Sequence, residues 1–269
     1  MYKLGSLFAG VGGIDLGFEQ AGISSIWANE IDKFCEITFK ANHKNTQLLV
    51  EDIYKVHADD VPDIDVLAGG FPCQPFSIAG YRKGLHDERG DLFFEITRLI
   101  EELDEQKRAP QAIFLENVKN LFTHDNNNTY MFMKKELETL GYHVTEDILN
   151  SCDYGNVPQN RERLYIIAFR NKNSFDAFNW IEPTKLDKAI EDVVDWENDV
   201  DDKYYYTNKI KSYPLLKKEV TNIYSIYQLR RIYVRENKSG VSPTLTANMG
   251  MGGHNVPIII NKKNKIRKL

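Results

Sequence analysis

Cys73 is the residue of this chain best placed to do chemistry. It stands in the run Gly69-Gly70-Phe71-Pro72-Cys73-Gln74-Pro75-Phe76-Ser77, directly after the apolar stretch Asp65 to Ala68. That stretch reads as a buried strand, and ligands and catalytic groups in open α/β sheets gather outside the carboxyl ends of strands. Pro72 and Pro75 restrict the backbone on either side of the thiol. The arrangement suits a nucleophile on a strand-end loop, with polar, glycine-containing sequence behind it that could close over a substrate. Taken alone, the run reads better as a small buried cysteine in a proline-rich turn.

Further polar residues follow other apolar runs. Phe8-Ala9-Gly10-Val11-Gly12-Gly13 comes after the first, where glycines let a ligand approach the backbone. A dinucleotide fingerprint would place another glycine three residues beyond Gly12, and that position is Asp15. A pyrophosphate cradle is therefore disfavoured, and a nucleoside-type cofactor without phosphate, such as S-adenosylmethionine, fits better. Glu30 ends the second apolar run and can accept hydrogen bonds from both ribose hydroxyls. Asp52 ends the third and could contact an adenine amino group. Each carboxylate alone reads as a surface or capping group. At successive strand ends, beside Gly10 and Gly12, they make a coherent cofactor site.

The elements that must position these residues are legible in the spacing. Strands are expected at residues 3–8, Ser25–Ala28, Leu48–Val50, Asp65–Ala68, Ala112–Leu115, His143–Leu149 and Leu164–Phe169. Helices are expected at Ile14–Ala21, at Asp32 to about Ala41, at Asp91–Glu105 and at Thr129–Leu140. Alternating strands and helices predict an α/β fold with a doubly wound, mostly parallel sheet. Beyond Arg170 the periodicity breaks down, and residues 175–250 read as a separate small domain or a large insertion.

Composition sets outer limits. Three cysteines, Cys35, Cys73 and Cys152, have neither disulfide pairing nor metal-ligand spacing, which predicts a reducing, cytoplasmic setting and no structural metal. No apolar run reaches membrane-spanning length. The net charge of −5 does not by itself suggest a nucleic-acid partner, because what matters is where the basic residues lie. Acidic residues crowd Glu191 to Asp202, whereas basic ones recur in Arg161–Arg170, Lys209–Lys218, Arg230–Arg235 and Lys262–Lys268. The second half could thus present a basic face.

The ordered set Phe8-Ala9-Gly10-Val11-Gly12-Gly13, Glu30, Asp52, Pro72-Cys73-Gln74, Glu116-Asn117-Val118 and Gln159-Asn160-Arg161-Glu162-Arg163 resembles the cytosine-C5 DNA methyltransferases of bacterial restriction-modification systems. The resemblance implies a Rossmann-like, S-adenosylmethionine-dependent catalytic domain at 1–172 and a smaller, irregular target-recognition region at 173–269. It makes Cys73 the nucleophile and Glu116 a contact of the target cytosine. Arg163 would lie near the cytosine and the cysteine, with Arg161 supporting the same pocket. Phe8, Gly10, Gly12, Glu30, Asp52, Ile53 and Pro72 would hold S-adenosylmethionine, with Ile31 packing on its adenine. Ser77 to about Asp91 would be the loop that closes over double-stranded DNA, positioned with the help of Gln74 and Arg89. Thr244, in Thr244-Leu245-Thr246-Ala247, would contact DNA near the flipped base.

Those residue types answer a specific chemical need. Carbon 5 of cytosine is too poor a nucleophile to take a methyl group directly, and a thiolate adding at carbon 6 makes it an enamine carbon that can. Protonating or hydrogen bonding ring N3 promotes that addition and asks for a carboxyl kept partly neutral, with Glu116 the candidate. An arginine near the cysteine favours its thiolate. The duplex hides carbon 6, so the base must be flipped out. The family pattern continues into a Thr-Pro-Arg-Glu-type stretch and a Gly-Asn-Ser/Ala-Val element, whereas this sequence ends Lys268-Leu269 without them. The expectation that follows is a truncated product, or a DNA- or cofactor-binding subunit completed by a second polypeptide.

Overall fold

The computed structural model of the protein describes residues 1–72, 92–246, 249 and 256–269. They form two compact units, Met1–Ile148 with Arg163–Trp180, and Leu149–Glu162 with Ile181–Leu269. The chain passes into the second unit at Leu149, returns to the first at Arg163 and enters the second again at Ile181.

The first unit is built on a seven-stranded sheet. Its strands are β1 (Lys3–Leu7), β2 (Ser24–Glu30), β3 (Gln47–Val50), β4 (Val66–Gly69), β5 (Ala112–Val118), β6 (His143–Asn150) and β8 (Glu162–Phe169). Their spatial order is β3-β2-β1-β4-β5-β8-β6. The pairings from β3 through β5 are parallel, and β8 runs antiparallel to β5. The mostly parallel α/β sheet expected from the alternation is the one observed. The chain moves outward from β1 through β2 and β3, then resumes on the other side of β1 with β4. That reversal makes the carboxyl ends of β1 and β4 the switch point where open α/β sheets form crevices.

Helices α1 (Gly13–Gln20), α2 (Lys33–Asn42), α3 (Leu92–Glu105) and α4 (Asn128–Thr139) belong to this unit. In α3, Phe93, Ile96, Leu99, Ile100 and Leu103 are all buried. Their spacing of three and four residues puts them on one stripe, which packs into the core with Leu67, Ile113, Leu115 and Met133. Strand β1 is buried from Leu4 through Leu7, as a central strand covered on both faces must be. Strands β5 and β8 instead alternate buried and half-buried positions. Phe114, Ile167 and Phe169, with Val66 and Phe18, line an apolar groove of about 370 Å³ on their less buried side.

The second unit was expected to be irregular, yet it carries its own antiparallel sheet in the order β10-β9-β12-β13. The strands are β9 (Ile226–Leu229), β10 (Val234–Asn237), β12 (Pro257–Ile260) and β13 (Ile266–Lys268), while the parallel pair β7 (Gln159–Asn160) and β11 (Ser242–Pro243) lies apart from it. Strands of two to four residues are too short for alternation to stand out in a sequence, which is why the region reads as aperiodic. Leu216, Val220, Tyr227, Ile258 and Ile266 form one small core and Ile190, Trp196, Ile226 and Ile259 another. The basic run near the end is also different from a uniform positive face. Lys262 pairs with Glu197, and Lys263 and Lys265 pair with Asp199. Hydrogen bonds from Lys263 and Tyr205 hold the Asp199 carboxyl down at about 2. Arg267 is buried and donates to the Asp195 and Lys268 carbonyls. Much of this basic run is thus matched to the acidic stretch Glu191–Asp202.

Candidate active site

The carboxyl ends of β1 and β4 lie side by side. A side chain on Gly69 would start 3.5 Å from the Leu7 carbonyl oxygen and 3.7 Å from the Phe8 ring. Phe8 turns out of the strand with φ 55°, and Gly12 adopts φ 87° before α1. Only glycine fits at Gly12 for a second reason: a Cβ there would sit 2.1 Å from Nε2 of the buried His43. The glycine run is therefore needed for its own packing as well as for any ligand.

Glu30 closes the same edge. The Gly10 N–H donates to Glu30 Oε2 at 2.7 Å, and the Asp32 N–H donates to Oε1 at 2.8 Å. Asp32 in turn caps α2 by accepting from the Phe34 N–H. A carboxylate has about four acceptor sites, so one bond to each oxygen leaves capacity for a ribose diol. Beside it Ile31 is 62% exposed, so its side chain is available to cover a flat ring. Asp52 lies at the next strand end, where its Oδ1 accepts from the Tyr54 N–H. Ile53 is different: its side chain is buried in the main core, so a ligand could meet it only through its main chain. These residues fit a phosphate-free nucleoside cofactor.

Two residues that support this edge are not evident from the sequence. Asn29 is buried and donates from Nδ2 to the carbonyls of Leu49 and Glu51, which fixes where β3 ends and where Asp52 falls. Asp15 is fully buried in the first turn of α1, and its Oδ1 accepts from the hydroxyls of Ser6 and Ser25, both at 2.7 Å. It ties α1 to β1 and β2 below the glycine run. The only signal for either was a polar residue inside an apolar stretch.

On the other flank, β5 and β8 bring Glu116 and Arg163 together. Their antiparallel register pairs Val118 with Arg163 and Glu116 with Tyr165, so Arg163 is the diagonal neighbour of Glu116 on one face. Arg163 Nε lies 2.9 Å from Glu116 Oε1. Glu116 Oε2 would be 3.4 Å from a Cβ on Gly70, so this carboxylate flanks the backbone that leads to Pro72. Asn117 sits beside it, buried, and donates from Nδ2 to the Phe71 carbonyl at 2.9 Å. Its Oδ1 accepts from the Val118 N–H. Asn117 thus tethers the end of β5 to the segment entering the cysteine run, a role the sequence alone did not disclose.

Cys73, Gln74, Ser77 and Arg89 lie outside the described residues. Pro72, the last residue described before them, is exposed and follows Phe71, whose carbonyl Asn117 holds. Arg161 belongs to the second unit, where its N–H donates to Asn150 Oδ1 and its carbonyl accepts from the Ser151 N–H. Thr244, also in that unit, donates from its hydroxyl to the Asn160 carbonyl at 2.7 Å. Of the other thiols, burial and then the charges of Glu30 and Asp32 push Cys35 up, while burial and Asp153 push Cys152 up. Both shifts oppose the thiolate that a nucleophile needs. Among the described residues no group of three or more His, Cys, Asp or Glu could hold a metal ion. No described helix is long and apolar enough to cross a membrane.

Comparison with known proteins supplies the family. The family model for C-5 cytosine-specific DNA methylases matches residues 2–269. Type II methyltransferase M.Bsp6I of Bacillus sp. (strain RFL6) is 53% identical over 272 residues, covering 100% of this chain and 84% of that protein. Type II methyltransferase M1.ScrFI of Lactococcus lactis subsp. cremoris is 44% identical over 210 residues, or 78% of this chain and 52% of that protein. Among solved structures, a mutant of DNMT2 from Spodoptera frugiperda superposes with a TM-score of 0.63 at 25% identity, over 83% of this chain and 66% of that one. The chain thus spans most of M.Bsp6I and about half of M1.ScrFI.

Proposed function

The chain belongs to the C-5 cytosine-specific DNA methylase family, and on that footing we propose that it methylates carbon 5 of a flipped-out cytosine in double-stranded DNA, through a covalent bond from Cys73 to carbon 6. The observation that carries the reading is the cluster at the switch point. The Glu116–Arg163 pair flanks Gly70, and Asn117 holds the Phe71 carbonyl, so an acid and a cation border the backbone that delivers Cys73. The activity itself follows the family; nothing in the comparisons favours a binding subunit or a second polypeptide.

S-adenosylmethionine, when bound, would supply the electrophilic methyl group, its sulfonium sulfur keeping the electron pair of the broken S–CH3 bond and leaving as a thioether. Glu30 and Asp52 would hold its ribose and adenine, and Ile31 would cover the ring. The Cys73 thiolate adds to carbon 6 of the cytosine, and the electron pair of the C5–C6 double bond moves toward carbon 5. Glu116 promotes that addition in its protonated form, donating its carboxyl proton to the acceptor ring N3, while Arg163 holds the Glu116 carboxyl in place and favours thiolate nearby. After methylation a base removes the carbon 5 proton, the double bond re-forms, and the thiolate leaves. Arg161 would support the cytosine pocket, and Gln74, Ser77, Arg89 and Thr244 would hold the DNA and the closed loop.

The test uses duplex DNA carrying 5-fluorocytosine, whose carbon 5 has no proton to lose, so the adduct cannot resolve. A denaturation-resistant adduct is expected with the wild-type chain and methyl donor, and none with Cys73→Ser. Methylation of ordinary duplex without any such adduct would refute the covalent route; no methylation of any duplex would refute the activity.

A further inference from the structure

Strands β9 and β10 form a hairpin whose two faces differ. In their register Gln228 pairs with Arg235 and Leu229 with Val234. Side chains alternate along a strand, so Tyr227, Leu229 and Val234 share one face. That face packs into the small core with Leu216 and Ile258. Gln228, Arg230, Arg235 and Asn237 share the other, and with Asn160 and Thr244 they line a cavity of about 320 Å³.

The lining is chemically selective. Among the described residues no carboxylate lines the cavity, which carries two guanidinium groups together with amides and hydroxyls, in a chain whose net charge is −5. The lysines near the end of the same unit, by contrast, face Glu197 and Asp199. Such a lining calls for a partner rich in hydrogen-bond acceptors. The two arginines are also held differently. Gln228 is 2% exposed, and its Oε1 accepts from Arg230 Nη2 at 3.1 Å, so a fixed amide braces that guanidinium. Arg235 is exposed and stands on the edge strand β10.

We propose that this cavity is a sequence-reading subsite, in which Arg230 donates two N–H bonds to O6 and N7 of a guanine in the recognition sequence and Arg235 contacts a neighbouring phosphate. A guanine edge offers two adjacent acceptors in the major groove, the pattern that a planar guanidinium fork matches. A braced donor suits base reading because its geometry is set before contact, whereas an exposed arginine suffices for a phosphate. The proposal rests on the reading of the protein as acting on DNA.

The experiment selects bound duplexes from a random-sequence pool with the full chain, without methyl donor, and measures methyl transfer separately. The wild-type chain is expected to enrich a motif containing guanine. Arg230→Ala should lose discrimination at one guanine position by about tenfold to a hundredfold. Arg230→Lys should lose less. Arg235→Gln should keep the motif, weaken binding to all sequences alike, and lower the slope of log K against log salt by about one. A motif unchanged in Arg230→Ala, or no enriched motif with wild type, overturns the proposal. So does a loss in Arg230→Ala that is uniform across sequences. Should Arg230→Ala unfold, judged by circular dichroism, Arg230→Lys decides by the same criterion. Failure of methyl transfer with selection intact would count against the catalytic reading and leave this one standing.

Discussion

Replacing Asn117 by alanine tests whether the tether to Phe71 serves catalysis or only the fold. The Asn117 side chain is 3% exposed, and its Nδ2 is 2.9 Å from the Phe71 carbonyl, itself in a buried residue. Removing the amide leaves that carbonyl without this donor, at a cost of about 1–3 kcal/mol for a buried unsatisfied group. The functional consequence is separate and larger. Phe71 lies two residues before Cys73, and a misplacement of about 1 Å at a reacting group can cost roughly a hundredfold in rate. Asn117→Ala should therefore lower kcat for duplex methylation by about tenfold to a hundredfold, slow formation of the 5-fluorocytosine adduct in parallel, and leave KM for the methyl donor within about twofold. Stopped-time methyl transfer, adduct formation and urea unfolding measure the three effects. A destabilised variant with wild-type kcat would reduce Asn117 to a packing residue. A variant with unchanged stability would deny that the hydrogen bond contributes at all.

Two further perturbations probe the scaffold. Gly12→Ala should destabilise the chain by several kcal/mol, since its φ is 87° and its Cβ would meet His43 Nε2 at 2.1 Å; Gly13→Ala, with nothing within 4 Å of its Cβ, should be tolerated, and equal unfolding midpoints for the two would contradict this. Burial, partly offset by Arg170, pushes the Tyr142 hydroxyl up to about 12, and that hydroxyl donates to the Pro110 carbonyl at 2.7 Å. Because the folded chain holds this proton more tightly than the unfolded one, the associated stability is complete below about pH 10 and is lost as pH rises toward 12. The shift corresponds to roughly 3 kcal/mol. Urea titrations from pH 8 to pH 12 should show the advantage of wild type over Tyr142→Phe shrinking across that window, and a constant difference would rule the linkage out.

The site combines two kinds of support. Glu30 is positioned by the Asp32 N–H just after the β2 end and the Gly10 N–H in the glycine run, so its placement follows closely from where strands end. Glu116 is positioned by a side chain on another strand, Arg163, whose partner geometry depends on the β5–β8 register. A shift of one residue in that register would turn Arg163 to the opposite face and leave a partly buried carboxylate without this cation. The antiparallel strand thus positions the Glu116–Arg163 pair as well as forming part of the sheet.

The order of strand-end residues was legible in the chain because each follows its own apolar run, and the local alternation of strand and helix carries that information over a few residues. The glycine run, Glu30, Asp52, the cysteine run and Glu116 could all be picked out this way, as could a mostly parallel α/β sheet. What the linear pattern could not contain was which strand lies beside which. Asn117 reaches a carbonyl 46 residues away, and Arg163 reaches Glu116 across an antiparallel pair, because hydrogen bonds depend on register in space. The second unit was hidden for a related reason: its strands of two to four residues bury their faces only after segments farther along the chain pair with them, as Pro257 does with Gln228. Residue types and their order determined the chemistry this chain can do. Tertiary pairing decided which acid meets which cation, and which arginines face a cavity lined by no acid among the described residues.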